Sequence, residues 1–168
     1  MNEFKQIIIF SIALAAFSIA GNAQTSLPRI GGGNIDVQAQ RGKVVILAVG
    51  ASWLPLSDKQ AEFTNSLARK YAGKSVAVYF ILTDSTNPKS KNYATDEQLR
   101  QWASSNGVTV PVLRDSDGVA TLRKFAIDQL PSFVVLDKSG SKSGNSFGGI
   151  DPKFDITVPI SKKVDSLL

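Results

Sequence analysis

The segment from Val44 to Gln60 constrains the fold of this chain more than any other. It begins with six consecutive apolar residues, 44–49, several of which are β-branched. Such a run is typical of a central β-strand that is buried on both faces. A turn of small residues, Gly50 to Ser52, follows, and then comes an apolar stretch, Trp53 to Leu56. The sequence therefore predicts a buried strand, a tight turn, an apolar loop and then a helix that begins at Ser57.

The two predicted helix starts carry the same local pattern. Ser57 is followed three residues later by Gln60, and Thr95 is followed three residues later by Gln98. In a capping box, a serine or threonine and a glutamine at this spacing bond to each other's backbone N–H groups. We therefore expect Ser57 to cap the first helix and Thr95 to cap the second.

The order of the elements predicts an α/β fold. The first helix, expected over residues 57–71, is followed by a second buried apolar strand, 76–82. A strand, a helix and a strand in this order form a βαβ unit with parallel strands. A further apolar strand is expected over 133–136, and a C-terminal helix within 155–168.

The composition excludes several classes of chemistry. The chain has no cysteine, which excludes disulfides, thiolate catalysis and thiolate metal sites. It also has no histidine, the most common general base and metal ligand. An enzyme built from this chain would have to use carboxylates, lysine, tyrosine or hydroxyl groups. We therefore predict no catalytic residue, no metal site and no cofactor.

The formal net charge is +5, which raises the question of an anionic partner. The lysines are scattered along the chain, and no basic run is interleaved with aromatic residues. This distribution favours an effect on solubility, and we expect no nucleic-acid partner.

The N-terminal residues 1–23 resemble a secretory signal peptide. Lys5 precedes an apolar core, residues 7–20, and small residues at 21 and 23 suit cleavage before Gln24. We expect a single domain over 24–168, located in the periplasm or secreted, with no stable membrane anchor after cleavage. The alternative is an uncleaved N-terminal anchor.

The segment around Trp53 resembles the active site of the thioredoxin-like superfamily, specifically the TlpA/ResA-type secreted redoxins of the AhpC/TSA-redoxin group. In those proteins a buried strand leads into W-C-x-x-C at the start of a helix. Trp53 is retained here, but Leu54 occupies the first cysteine position and Ser57 the second. Gln60 stands where these redoxins carry a glutamate that tunes the thiols. The resemblance implies a thioredoxin fold in which the active site is degenerate.

A second stretch carries the same resemblance. Pro131 precedes the strand 133–136 in the way that a cis-proline precedes a buried strand in the family. The resemblance extends over residues 27–150. It implies a central mixed β-sheet flanked by helices, with an N-terminal hairpin extension.

The family fold implies a groove in which a substrate peptide lies as an extended strand beside the proline. The residues expected to form it are Trp53, Leu54, Pro55, Leu56, Leu130 and Pro131. We expect a non-catalytic module that holds a polypeptide or a partner protein of the cell envelope in this groove. One alternative is a thiol-disulfide oxidoreductase role in envelope redox or cytochrome maturation, with all sulfurs supplied by partners. Another is an interaction domain with no groove function, in which these side chains merely fill the space left by the thiols.

Overall fold

The computed structural model describes residues 25–168, so the predicted signal peptide, residues 1–23, lies outside the described residues. A five-stranded sheet forms the centre of the fold. Its strands are β3 (Val44–Gly50), β4 (Val76–Leu82), β5 (Val112–Arg114), β6 (Ser132–Leu136) and β7 (Phe147–Gly148). Their order across the sheet is β5-β4-β3-β6-β7. The helices of the described chain are α1 (Ser57–Lys70), α2 (Asp96–Ser105) and α3 (Thr157–Asp165).

The strand β3 lies at the centre of the sheet, as its apolar run predicts. It pairs in parallel with β4 along its whole length and antiparallel with β6 on its other side. All seven of its residues are buried. The sheet is therefore mixed, and the predicted α/β thioredoxin fold is confirmed.

The two faces of the sheet are covered in different ways. Val44, Ile46 and Ala48 point into a core that all three helices help to form. The residues between them, Val45 and Leu47, face a second core on the opposite side. That side is covered by a two-stranded antiparallel hairpin, β1 (Ser26–Pro28) and β2 (Asn34–Asp36), and by the turns that follow β5. The predicted N-terminal hairpin is thus confirmed, and it closes one face of the sheet.

The ends of α2 and α3 follow local sequence rules. Thr95 caps α2, and the capping box with Gln98 forms as predicted. The helix α3 begins at Thr157, so Pro159 falls in its first turn, where the missing N–H of proline costs little. Among residues 25–168, no helix has both the length and the apolar character needed to cross a bilayer.

Candidate functional site

The candidate site lies where β3 ends and β6 begins. The residues Ala51 to Leu56, which we call the tip, connect β3 to α1. Because β6 runs antiparallel to β3, the residues just before β6 lie beside the tip; Val49 pairs with Ser132. The Leu130–Pro131 peptide bond is cis. A Cβ atom added to Gly50 would be 3.7 Å from the Cβ of Pro131, so the two segments are in contact.

The start of α1 corrects the prediction for Ser57. The N-cap residue is Leu56, in the left-handed conformation (φ 67°), and no side chain caps the helix. Ser57 is the first helical residue and is 2% exposed. Its hydroxyl donates a hydrogen bond of 2.6 Å to the carbonyl oxygen of Ala51. The predicted capping box is wrong here because the Ser57 hydroxyl bonds to the tip instead of the helix.

The side chain of Gln60 joins β3 to β6. Gln60 has no exposed surface, and its Nε2 donates to the carbonyl oxygens of Val49 (3.2 Å) and Ser132 (2.9 Å). These two residues face each other across the sheet, so one amide group satisfies an acceptor on each strand. The Oε1 atom of Gln60 is buried and has no hydrogen-bond partner within the described chain. Gln60 therefore links β3 and β6 through two buried hydrogen bonds.

Gly50 makes room for that amide. A Cβ atom at this position would lie 2.3 Å from Oε1 of Gln60, which is closer than real Cβ contacts. The last residue of β3 therefore has to be glycine as long as Gln60 keeps this position.

The six predicted groove residues divide into two groups. Trp53 is 51% exposed, Pro55 is also exposed, and Leu54 is half-buried. The other three are more enclosed. Leu56 packs against the helix-side core, Leu130 packs against the opposite core, and Pro131 is buried. The outward apolar surface of the site is thus formed by Trp53, Leu54 and Pro55.

Two residues of the site were missed by the sequence analysis. The carboxylate of Asp84, just after β4, accepts hydrogen bonds from the backbone N–H (2.9 Å) and from the hydroxyl of Ser52. Asp84 is 1% exposed. The sequence could have indicated this contact, because β3 and β4 were predicted to be parallel. The carboxyl ends of neighbouring parallel strands meet at one edge of a sheet, which brings Ser52 close to Asp84.

The two hydroxyls of the site are not activated as nucleophiles. The hydroxyls of Ser52 and Ser57 both donate to acceptors inside the protein, and neither has a histidine as a base. Within residues 25–168, no three side chains of the metal-binding types are grouped so that they could hold an ion. What the tip presents to solvent is an apolar surface with its polar groups bonded inward.

Comparisons with known proteins agree with this geometry. The thioredoxin-like protein YneN of Bacillus subtilis (strain 168) is 24% identical over 115 residues, which are 68% of this chain but only 62% of that protein. The exposed lipoprotein thioredoxin of Streptococcus pneumoniae strain TIGR4 superimposes with a TM-score of 0.68 and 20% identity, over 86% of this chain and 100% of the other. A secreted disulfide oxidoreductase of Mycobacterium tuberculosis gives 0.64 and 19%, over 86% and 96%.

These structural similarities establish the thioredoxin-like fold. The family itself is shown by a sequence model, that of the AhpC/TSA family, which matches residues 21–141. Together with the strand, tip and proline described above, this match shows that the chain belongs to the AhpC/TSA family, as a member without cysteine.

Proposed function

We propose that this protein is an exported, redox-inactive redoxin that binds an extended segment of a polypeptide or partner protein of the cell envelope. The binding surface would be Trp53, Leu54 and Pro55, together with the backbone beside Pro131. One observation carries the proposal. The polar side chain of the tip, Ser52, and the buried side chains of Ser57 and Gln60 are bonded inward, whereas the side chains that the tip turns outward are apolar.

The absence of thiol chemistry follows from the sequence. Thiol–disulfide exchange needs an attacking thiolate and a leaving sulfur, and this chain can supply neither. The position of the first cysteine in related redoxins holds Leu54, which is half-buried and apolar. A ligand at this site would therefore be held without a covalent bond to the protein.

The sheet geometry supports a particular mode of binding. An extended segment that runs beside Pro131 would bond to backbone groups there, as strands do when they add to a site of this kind. Trp53 belongs to the tip, which follows the contact between Gly50 and Pro131, and it is half exposed. Covering the exposed half of a tryptophan contributes about 2 kcal/mol, which is a large share of the affinity for a short peptide.

Export is supported by the apolar segment 7–20 and its flanking residues. The M. tuberculosis enzyme named above is described as secreted, and the S. pneumoniae protein as an exposed lipoprotein. Cell fractionation followed by N-terminal sequencing tests this part of the proposal. We expect a mature protein outside the cytoplasm that begins at Gln24; an intact chain in the cytoplasm would contradict export.

The binding proposal is tested by selecting peptides from a random library and mapping their site by amide chemical shifts. We expect the selected peptides to perturb Trp53 and Leu130, and to lose affinity for Trp53→Ala. The matched control is Leu168→Ala. Leu168 is also an exposed apolar residue, at 44%, but it bonds to Lys138 beyond the opposite end of β6. Equal affinity of the peptides for wild type and Trp53→Ala would overturn the proposal.

A disulfide-reduction assay tests the redox-inactive part separately. We expect the rate with this protein to equal the rate without it, in the presence of the same small-molecule thiol. A faster rate would favour the alternative in which partners supply the sulfurs.

A further inference from the structure

The carboxylate of Asp84 is buried and forms no ion pair with another described residue. Asp84 is 1% exposed. Both of its oxygens accept hydrogen bonds from one residue, Ser52, which lies 32 positions earlier in the chain. Asp84 therefore holds Ser52 through two hydrogen bonds.

Burying the Asp84 carboxylate costs free energy, and the two hydrogen bonds from Ser52 offset that cost. Burying an ionised carboxylate away from any cation is costly unless strong hydrogen bonds offset the loss of water. Bonds to an ionised acceptor are about twice as strong as neutral ones. The backbone N–H and the hydroxyl of Ser52 provide two such bonds, so a displacement of Ser52 would leave the carboxylate unsatisfied.

Besides the packing of Ala51 and Leu56, few other hydrogen bonds connect the tip to the rest of the described chain. The bonds from Leu54 N to Ala51 O (3.2 Å) and from Ser57 N to Leu54 O (3.3 Å) shape the turn from within. Residues 52–56 are connected to a separate segment of the described chain by the two hydrogen bonds between Ser52 and Asp84.

The orientation of the Trp53 side chain depends on the position of Ser52, which the bonds to Asp84 hold. Its indole makes no hydrogen bond and no ring contact with the described residues, and half of it is exposed. The backbone of Trp53 directly follows that of Ser52, so a displacement of Ser52 would displace Trp53 as well.

We propose that Asp84 is a positioning residue, which holds the tip through Ser52 and thereby fixes the direction in which Trp53 faces the ligand. The effect on ligand binding rests on the proposed function, whereas the effect on Trp53 itself does not. The carboxylate bonds to Ser52 and not to Trp53, so Asp84 acts on the ligand only through the tip.

The chain provides a matched control in Asp115. This residue follows β5 as Asp84 follows β4, is 4% exposed, and accepts hydrogen bonds from Thr121 N (2.9 Å), Thr121 Oγ1 (2.6 Å) and Ala120 N (2.9 Å). It is thus a second buried carboxylate held by backbone and hydroxyl donors, but it ties together the turns after β5 instead of the tip.

The experiment is fluorine NMR of the protein labelled with fluorotryptophan, which has two tryptophans to observe. Trp102 is an internal reference, because its ring packs against Phe80 at 5.4 Å, away from the tip. We expect Asp84→Asn to shift or broaden the Trp53 resonance and to leave the Trp102 resonance unchanged. Asp115→Asn should leave both unchanged. Binding of a selected peptide should weaken about fivefold in Asp84→Asn and not in Asp115→Asn.

Ser52→Ala keeps the backbone bond and removes the hydroxyl bond, so it decides the matter if Asp84→Asn does not fold. We expect a smaller displacement of the same Trp53 resonance. An unchanged Trp53 resonance in folded Asp84→Asn or in Ser52→Ala, or an equal change in Asp115→Asn, overturns the inference. If Trp53 moves as expected but no peptide binds the wild type, the positioning role stands and the proposed function fails.

Discussion

The starts of α1 and α2 have the same sequence pattern and different structures. At α2, the Thr95 hydroxyl accepts a bond from Gln98 N (3.1 Å), and the Gln98 side chain accepts one from Thr95 N (2.8 Å). At α1, the corresponding side chains of Ser57 and Gln60 turn away from the helix end and bond to strand and tip carbonyls.

The difference lies in what surrounds each helix end. Thr95 and Gln98 are exposed, and their side chains bond to each other's backbone and to no other segment of the described chain, so the local capping bonds form without competition. Ser57 and Gln60 are buried beside carbonyl oxygens that have no access to water. A buried acceptor left without a donor costs more than an uncapped helix end, so the long-range bonds win. At the start of α1, long-range hydrogen bonds therefore use the side chains that the local sequence pattern assigns to helix capping.

The same substitution should destabilise the fold strongly at Gln60 and hardly at all at Gln98, and this is the largest effect we expect. Gln60→Glu places a carboxylate against two carbonyl oxygens, which should lower the free energy of unfolding by about 3 kcal/mol at neutral pH. Gln98→Glu puts a negative charge in the exposed first turn of α2, where the change should stay within about 0.5 kcal/mol. Urea unfolding of both variants measures the contrast.

The pH dependence sharpens this test. Burial raises the pKa of a carboxyl at position 60 in the folded state, so Gln60→Glu should lose stability relative to wild type as the pH rises above about 4.3, the unfolded value. Gln98→Glu should not. A similar small, pH-independent effect at both sites would contradict the described role of Gln60.

The second prediction concerns the two hydroxyls. Thr95→Ala removes the cap of α2 and should cost about 1 kcal/mol, with faster hydrogen exchange at the Gln98 amide. Ser57→Ala should leave exchange at the Gln60 amide unchanged, since that N–H donates to the carbonyl oxygen of Leu56 (2.9 Å) and not to Ser57. Faster exchange at Gln60 in Ser57→Ala would restore the capping interpretation of α1.

The third prediction concerns the left-handed N-cap of α1. Leu56→Gly removes backbone strain of about 1 kcal/mol and loses packing of similar size, so stability should change little. Leu56→Ala loses the packing but keeps the strain, and should be less stable than Leu56→Gly by about 1 kcal/mol. Denaturant unfolding of the pair measures the order; an alanine variant as stable as the glycine variant would contradict the left-handed conformation.

The smallest effect is expected at the third helix start. The carboxylate of Asp155 accepts bonds from Thr157 N (2.9 Å) and Thr157 Oγ1 (2.6 Å), and these bonds, with the charge of Lys59, hold its pKa below the usual value. A lowered pKa stabilises the fold above the unfolded value, about 3.9, and this contribution is lost as the pH falls through the folded value. Wild type should therefore exceed Asp155→Asn slightly in Tm at neutral pH, and the gap should close in acid. A difference in Tm that persists in acid would exclude the charge of Asp155 as its cause.

The sequence predicted those parts of the fold that depend on short-range patterns. The apolar run of β3, the βαβ order and the cap at Thr95 were all predictable, because period, length and spacing determine them locally. The site was predicted only in part. Spacing alone could not distinguish Ser57 from Thr95, since the deciding partners, such as Ser132, are 72 residues away from Gln60. The exposure of Trp53 and the burial of Pro131 likewise depend on how β6 packs against β3.

The contact between Gly50 and Gln60 restricts the order in which this site can change. A methyl group at residue 50 would lie 2.3 Å from the Gln60 amide oxygen, whereas a shorter side chain at residue 60 would leave that space empty. Substitution at 60 therefore has to precede substitution at 50, and the reverse order passes through a clash. The two positions are thus coupled in evolution and in engineering, because a change at residue 60 makes room for a change at residue 50.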